Sequence, residues 1–572
     1  MEYTSNPFPK PKLIKEPPRK VFAKGWAYLK RDRDQYFSTW EELADFILPY
    51  IGMRMENQTS LSTSQRPRRT RRSGTNINNK AVMAARILIN GLAAGLTSPS
   101  RPWLKLGMPT GTPDADAQGK RWLEGASRAI LWLCGTSNYY ASTKMQYRDI
   151  VIFGPGAKII DEHPEYNINS THCPVGSYVI SLGEDGRPQG LQREIIMRAG
   201  QMVERWGYER VSKEVQRNYD RGDYYQEFKV CHVIEPNRLY QGDNAGFNRN
   251  KRFASVYYEF ACGEDENQLL GYNGYYDRPF SCGRWDYLTG DTYGSSAALE
   301  TLGDIKALQV LEMRKAQAVD KQVTPPTQSP PSLTGKRIGH MPGSNTVVPE
   351  VTQQIKALYD VRPDMMALSQ EIQRHENRID EAFFVDIIRS ATDLMRQNVK
   401  AEEIIERREE KMMAFSPLLE ALYVDLLDVD VMRMLAIGIR IGLIPPPPKS
   451  ISDRKFNIEY ISTLAQMQKA STITSMERTF NFAGGLAGVY PEVKDKIDAD
   501  KAIEEYADAV GAPASILVPE RAVAEMRQMR QQQAQQQAAM EQTAQGVEAA
   551  KNLSEAKLTD PSMLQYLIGG AQ

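Results

Sequence analysis

Apolar residues recur at three- and four-residue steps between positions 296 and 323: Ala298, Leu302, Ile305, Leu308, Leu311, Ala316, Val319 and Val323. That spacing lines one face of an α-helix. Glu300, Asp304, Lys306, Glu312, Arg314, Lys315, Asp320 and Lys321 fill the other faces. Ser295 or Ser296 can cap the first turn, because a hydroxyl satisfies an orphan N–H there. Pro325 and Pro326 stop the helix, since proline lacks the N–H and clashes with the preceding turn. The pattern predicts one unbroken helix over 296–323, roughly 40 Å long at the helical rise. It is too charged to cross a bilayer. A second stripe, Met366, Leu368, Ile372, Ile379, Phe383 and Ile387, predicts a returning helix over 363–388. Residues 324–361, rich in Pro, Gly and Ser, join the two. An ordinary helical hairpin with a long connection would look the same.

The remaining patterns place further elements around this pair. Pro7, Pro9, Pro11, Pro17 and Pro18 deny a helix to residues 1–20 and predict an extended arm. Residues 26–48 and 79–96 read as helical regions, and 103–106 as a short strand. Asp185–Gly186 reads as a hairpin turn with φ > 0, followed by a helix over 199–206. Aromatic and polar positions alternate across 224–290, the signature of antiparallel sheet. Residues 461–482 and 492–510 read as helices. Residues 520–557 are rich in Gln and Ala, with a thin apolar seam. That seam suits either a loose helical bundle or a low-complexity tail.

At 572 residues the chain exceeds one ordinary domain. Lys plus Arg number 71 and Asp plus Glu number 71, so the net charge is zero. A protein that grips nucleic acid over its whole surface is usually strongly basic. Charge is nevertheless concentrated locally: RPRRTRR carries Arg66, Arg68, Arg69, Arg71 and Arg72. These arginines form either a phosphate-contacting patch or a solvated loop. Five cysteines, odd in number and never in a CxxC pair, predict reduced thiols and synthesis in the cytoplasm. The Pro- and Lys-rich first residues hold no apolar core and do not read as a secretory signal, and no apolar run reaches transmembrane length.

No spacing in the chain meets the demands of catalysis. There is no GxxxxGK[ST] phosphate loop, no HExxH and no GxSxG elbow. His172–Cys173 and Cys231–His232 are adjacent pairs. Neighbours in a strand point to opposite faces, so neither pair readily shares a metal. Asp114/Asp116 and Asp428/Asp430 each lack a third ligand. The expectation is therefore a non-enzyme without a cofactor or metal.

The segment NNKAVMAARILINGLAAGLTSPSRPWLKL resembles the head-to-tail connector, or portal, family of short-tailed bacteriophages. In that family a helix ends in a Leu-Thr-Ser-Pro turn before an aromatic strand. SNYYASTKMQYRDIVIFGPGAKII resembles the family's Asn-aromatic helix, Phe-Gly turn and strand. VGSYVISLGEDGRPQGLQREIIMRAGQMVERWG resembles its strand–turn–strand–helix. Arg284–Trp285, Tyr293–Gly294, LGDIKAL, KAEEIIERREEKMMAFSPLLEAL and IGLIPPPP follow in the family's order. The resemblance covers residues 26–448. Lys400 departs from it, where the family has a Thr-like helix cap.

The resemblance implies an α+β, portal-like fold. Its parts would be an arm (1–20), a β-rich wing (21–294) and stem helix 1 (295–323), then a small clip module (324–361) and stem helix 2 (362–388). A channel or tunnel loop (389–400), a long wing helix (401–448) and a helical crown or barrel (449–572) would follow. It implies a homo-oligomeric, dodecameric ring in the virion, at one capsid vertex. Genome packaging by a terminase large subunit, ejection and attachment of a short tail through adaptor proteins would all use that ring. Major capsid and scaffolding proteins would surround it and double-stranded DNA would pass through it, with no membrane involved. Arg389, Arg396 and Lys400 are the candidate DNA-channel residues, being locally basic against the single acid Asp393. Residues 389–399 read equally as continuous helix with solvated charges. A terminase or nuclease subunit and a capsid-interior scaffolding protein are the alternatives. The missing phosphate loop and carboxylate cluster weigh against the first, and the β-rich 224–288 region against the second.

Overall fold

The computed structural model describes residues 17–49, 76–108, 117–240, 251–260, 269–324, 326–328, 331, 356–357, 364–394, 415–448 and 457–462, with helical pieces between 464 and 535. The chain divides into one unit of Met1–Gln468 and a second of Lys469–Gln572. The fold is α+β.

In the first unit, α1 (Arg19–Asp34), α2 (Phe37–Ile47) and α3 (Lys80–Leu96) precede the short β1 (Leu104–Gly107). Helices α4 (Ala117–Thr136) and α5 (Tyr139–Phe153) lead into β2 (Pro155–His163), β3 (Asn167–Cys173), β4 (Tyr178–Leu182) and β5 (Pro188–Arg198). Next come α6 (Ala199–Trp206), α7 (Lys213–Asp220), β6 (Glu227–Pro236), β7 (Phe253–Glu259), β8 (Gly271–Tyr275) and β9 (Phe280–Arg284). The expected antiparallel region is real: β4 to β8 pair in sequence order as one five-stranded antiparallel sheet. The turn joining β4 and β5 carries Gly186 at φ 71°, as Asp185–Gly186 predicts.

Strand alternation gives that sheet two small cores, while Tyr178, Ile180, Leu191 and Ile234 join the main one. Cys231 and Val233 face Phe22 and Trp26 of α1, while Val230 and Tyr257 face Ala199, Met202 and Val215 of α6 and α7. His232 stacks on its cross-strand neighbour Tyr257, with ring centroids 4.1 Å apart. The adjacent Cys231 and His232 thus point apart, as their strand spacing requires.

A second sheet, in the order β3-β2-β9, belongs to the main core with α3, α4 and α5. Gly154 turns the chain from α5 into β2 at φ 102°, and a Cβ there would lie 2.6 Å from the Ser295 carbonyl oxygen. Only glycine lets those two backbones approach so closely.

The predicted long helix is present but interrupted. It begins as α8 (Ala297–Glu300), capped by Ser296 Oγ accepting from Leu299 N at 3.0 Å. After Thr301 it resumes as α9 (Leu302–Val323). The Thr301 hydroxyl donates to the carbonyls of Ala297 (2.9 Å) and Ala298 (3.3 Å). Such back-bonding competes with the regular ladder and bends helices.

Beyond α9, the two-residue strands β10 (Thr327–Gln328) and β11 (Lys356–Ala357) pair antiparallel at the base of the connection. Most of the 324–361 connection lies outside the described residues. The return helix, α10 (Met365–Ala382), is capped by Asp364 and ends earlier than its pattern predicts. Phe384 adopts φ 51° and a fresh helix, α11 (Val385–Leu394), starts there. Phe383 is buried, while Phe384 packs on Phe415 with centroids 4.8 Å apart. The turn sets Phe383 in the core and Phe384 against Phe415. The break therefore sits at Phe384, and the first six residues of the expected 389–400 loop are helical.

Residues 415–422 are helical, pass through one π turn over Tyr423–Leu427 and continue as α12 (Asp428–Arg440). β12 (Asn457–Tyr460) then pairs antiparallel with β1. The first unit accordingly runs past residue 449 to Gln468, later than the expected crown boundary. In the second unit, residues 476–486 and 525–533 are helical, and Tyr506 donates to Glu477 at 2.9 Å.

Candidate functional site

The helical hairpin of α9 and α10 is the feature with the clearest functional geometry. Its root is buried: Leu302, Ile305 and Leu308 on α9 and Ile372 and Ile379 on α10 join the main core. Its far half is not. Val310, Met313, Val319 and Val323 on α9, with Met366 on α10, are 40%, 42%, 42%, 73% and 73% exposed. Val319 and Val323 continue the predicted apolar stripe of α9 after the chain's own core has ended.

Polar contacts hold the hairpin together and tie it to the body. Asp304 on α9 accepts from His375 at 2.8 Å and from Arg378 at 3.3 Å, both on α10. Gln309 forms a two-way clamp with the segment before α3. Its amide donates to the Asn78 carbonyl at 2.7 Å, and its oxygen accepts from Ile77 N at 2.8 Å. The Asn78 side chain donates to Glu312 at 3.2 Å and to Glu376 at 3.1 Å, bridging both helices. Lys80 Nζ lies 2.6 Å from Asp380, and Lys306 pairs with Glu42 at 2.5 Å. At the root, Ser296 also donates to the Ile152 carbonyl at 2.9 Å.

The body beneath carries buried charge. Lys158 on β2 meets Asp430 on α12 at 2.6 Å, donates to Thr143 at 2.6 Å and lies 4.0 Å from the Tyr139 ring centre. Tyr139 donates to the same carboxylate at 3.0 Å. Burial pushes the Lys158 ammonium below its ordinary range, against the pull of Asp430. Arg284 lies 3.8 Å from Asp425, in the π turn, and donates to the carbonyls of Asp291 (3.0 Å) and Gly186 (2.8 Å). Burial pushes the Asp425 carboxyl up, against its neighbouring arginines. These are partnered structural charges, packed out of reach of a substrate.

The sequence candidates fare unequally. Arg389 is exposed on α11. Arg396, Lys400, Asp114, Asp116 and the arginines Arg66, Arg68, Arg69, Arg71 and Arg72 lie outside the described residues. Asp428 and Asp430 do not form a metal pair: Asp428 accepts from Tyr460 at 2.5 Å and Asp430 serves Lys158. His172 pairs with Asp149 at 2.9 Å, while Cys173 is buried near Arg193. The buried thiols of Cys134, Cys173, Cys231 and Cys282 are free, and burial raises each above its ordinary range, Cys282 to about 12. A raised thiol is a poor nucleophile. Among the described residues no three His, Cys, Asp or Glu side chains group as a metal site. No described helix is long and apolar enough to cross a membrane.

The Gln309–Asn78 clamp and the Asp304–His375–Arg378 cluster were not legible in the sequence. Each joins polar residues distant along the chain, and a polar residue on a helix face carries no mark of its partner.

A family profile described as "Bacteriophage head to tail connecting protein" matches residues 19–517. A portal protein of Salmonella phage epsilon15 is 34% identical over 550 residues, spanning 95% of this chain and 97% of the relative. A probable portal protein of Bordetella phage BPP-1 is 33% identical over 547 residues, spanning 95% and 96%. Among solved structures, a chain from the virion of a native gene transfer agent particle aligns over 77% of this chain and 91% of its own length. That alignment has a TM-score of 0.36 at 10% identity.

Proposed function

Because the chain belongs to the bacteriophage head-to-tail connecting family and is a phage portal, or head–tail connector, we propose that it acts as a dodecameric ring at one capsid vertex. DNA would enter through the ring during packaging and leave through it at ejection. The observation that carries this reading is the hairpin. Its root is buried in the body, but Val319, Val323 and Met366 continue the apolar stripe into water. A neighbouring copy gives those side chains a place to be buried. A contact between two different faces of identical chains makes a ring when the rotation from copy to copy closes, and an open filament when it does not.

On this reading α9 and α10 form the stem around the channel. Residues 324–361, with β10 and β11 at their base, form the clip that meets the terminase large subunit and then the tail adaptors. Residues 21–294 and 401–448 form the wing, against the major capsid and scaffolding proteins. Residues beyond Gln468 form the crown. Arg389, Arg396 and Lys400 would contact DNA phosphates, and phosphate contacts carry no sequence information. The zero net charge suits the role. Each neutralised phosphate adds counterion-release affinity, so an entirely basic channel would hold DNA too tightly to let it move. The protein would be made in the host cytoplasm and end in the virion.

Negative-stain images of the purified full chain, in capsid-assembly salt, test the proposal. Rings with a central hole are expected. A compact monomer by light scattering at micromolar concentration would remove it. Robust ATPase or nuclease turnover would favour a DNA-processing subunit instead.

A further inference from the structure

A cavity of about 560 Å³ opens between α2, α3 and α5. Ile47, Ile89 and Ile152 line its apolar wall, and Arg86, Lys144 and Arg148 stand among its lining residues with no acidic side chain. Arg86 and Lys144 are exposed, while Arg148 is partly buried against Asp149. Met145 also lines it and is 45% exposed. An apolar hollow with cationic residues around it suits an apolar side chain carried between carboxylates.

The same chain displays such a knob. Leu288 is 81% exposed, the most exposed large apolar side chain among the described residues. It sits in a short loop closed by the Asp286–Ser295 bridge. Asp291 N donates to the Leu288 carbonyl at 2.9 Å, and Gly290 takes φ 92°, so the tip is an ordered turn. Asp286 and Asp291 flank the leucine, and no basic residue lies between Trp285 and Ser295. Asp291 also accepts from Tyr36 at 2.9 Å. Tyr36 immediately precedes α2, whereas the cavity lies at the other end of that helix. Eleven helical residues separate the two by roughly 16 Å. The loop is therefore anchored away from its own chain's cavity.

We propose that the Leu288 loop of one copy seats in the α2–α3–α5 cavity of the next, with Asp286 facing Arg86 and Lys144. This inference rests on the ring reading. It adds a specific wing-level contact: a knob and a hollow on different faces of identical chains, as a head-to-tail ring requires.

A double variant, Leu288→Cys with Met145→Cys, tests it in the assembled full-length chain. Mild oxidation should produce a ladder of linked chains on a non-reducing gel, absent from either single variant. Unsubstituted chain that forms rings, beside a double variant that forms rings but gives no ladder, would overturn the contact and leave the ring standing. A linked dimer in Leu288→Cys alone would mean like-to-like pairing and would also overturn it. Protection of the cavity in the ring without the cross-link would mean that another group occupies the cavity, and the contact would fall in that case too. Failure of the unsubstituted chain to form rings would remove the ring reading and this contact together. As a second arm, Asp286→Arg should lower the ring fraction at least tenfold, and adding Arg86→Asp should restore it. A correctly melting Asp286→Arg chain with an unchanged ring fraction would count against the contact.

Discussion

Lys158 Nζ lies 2.6 Å from Asp430 Oδ2, and both side chains are buried. The pair joins the central strand of the three-stranded sheet to α12. Tyr139 and Thr143 supply further bonds, yet Asp430 Oδ1 is left without a partner. A buried pair of this kind adds little net stability over an apolar replacement, but breaking it strands a charge.

Asp430→Asn should therefore destabilise the chain by about 3–5 kcal/mol. The loss should depend on pH, with a definite sign. Burial holds the Lys158 pKa in the folded chain below its unfolded value, and removing the carboxylate pushes it further the same way. The unfolded state then binds more protons, so stability rises with pH between the depressed pKa and the ordinary lysine range. Thermal melts of the variant from neutral pH upward should show partial recovery. A parallel loss at every pH would mean that Lys158 sheds no proton.

The two halves of the hairpin should respond differently to truncation. Ile379 is fully buried at the root, so Ile379→Ala should cost about 2–5 kcal/mol in urea unfolding. Val319 is 42% exposed, and Val319→Ala should change chain stability by less than about 0.5 kcal/mol. Its effect should appear instead as a smaller ring fraction in analytical ultracentrifugation.

Gly154→Ala tests the close approach at the root of α8. The φ of 102° and the Ser295 oxygen 2.6 Å from the added Cβ both oppose alanine. A loss of more than about 1 kcal/mol is expected, together with faster hydrogen exchange around Ser296. Wild-type exchange there would show that the two segments separate without cost.

The double variant Arg396→Glu, Lys400→Glu should spare ring formation, because neither residue belongs to the predicted apolar stripes. It should lower packaged DNA per capsid, with the largest deficit at low salt, where phosphate contacts are strongest. Equal filling and retention across salt would remove these residues from the DNA path.

Local chemistry was legible where neighbours along the chain decide the outcome. Ser296 caps its helix because the hydroxyl and the orphan N–H lie three residues apart. Gly186 turns a hairpin because only local backbone freedom is needed. Cys231 and His232 face opposite ways because strand geometry alternates. Residues 199–206 form the expected helix, and the α+β character follows from the same periodicities. Tertiary structure decided the rest. The pattern through Phe383 and Ile387 reads as one helix, but the chain turns at Phe384, whose ring packs on Phe415. Periodicity cannot show that β1 pairs with β12, that Lys158 meets Asp430 or that Asn78 bridges two helices. Those contacts depend on how distant segments close on one another. An apolar stripe shows which face seeks burial, but not where the chain's own core stops covering it. On α9 that point falls just beyond Leu311, and on the proposed reading a neighbouring copy covers the remainder.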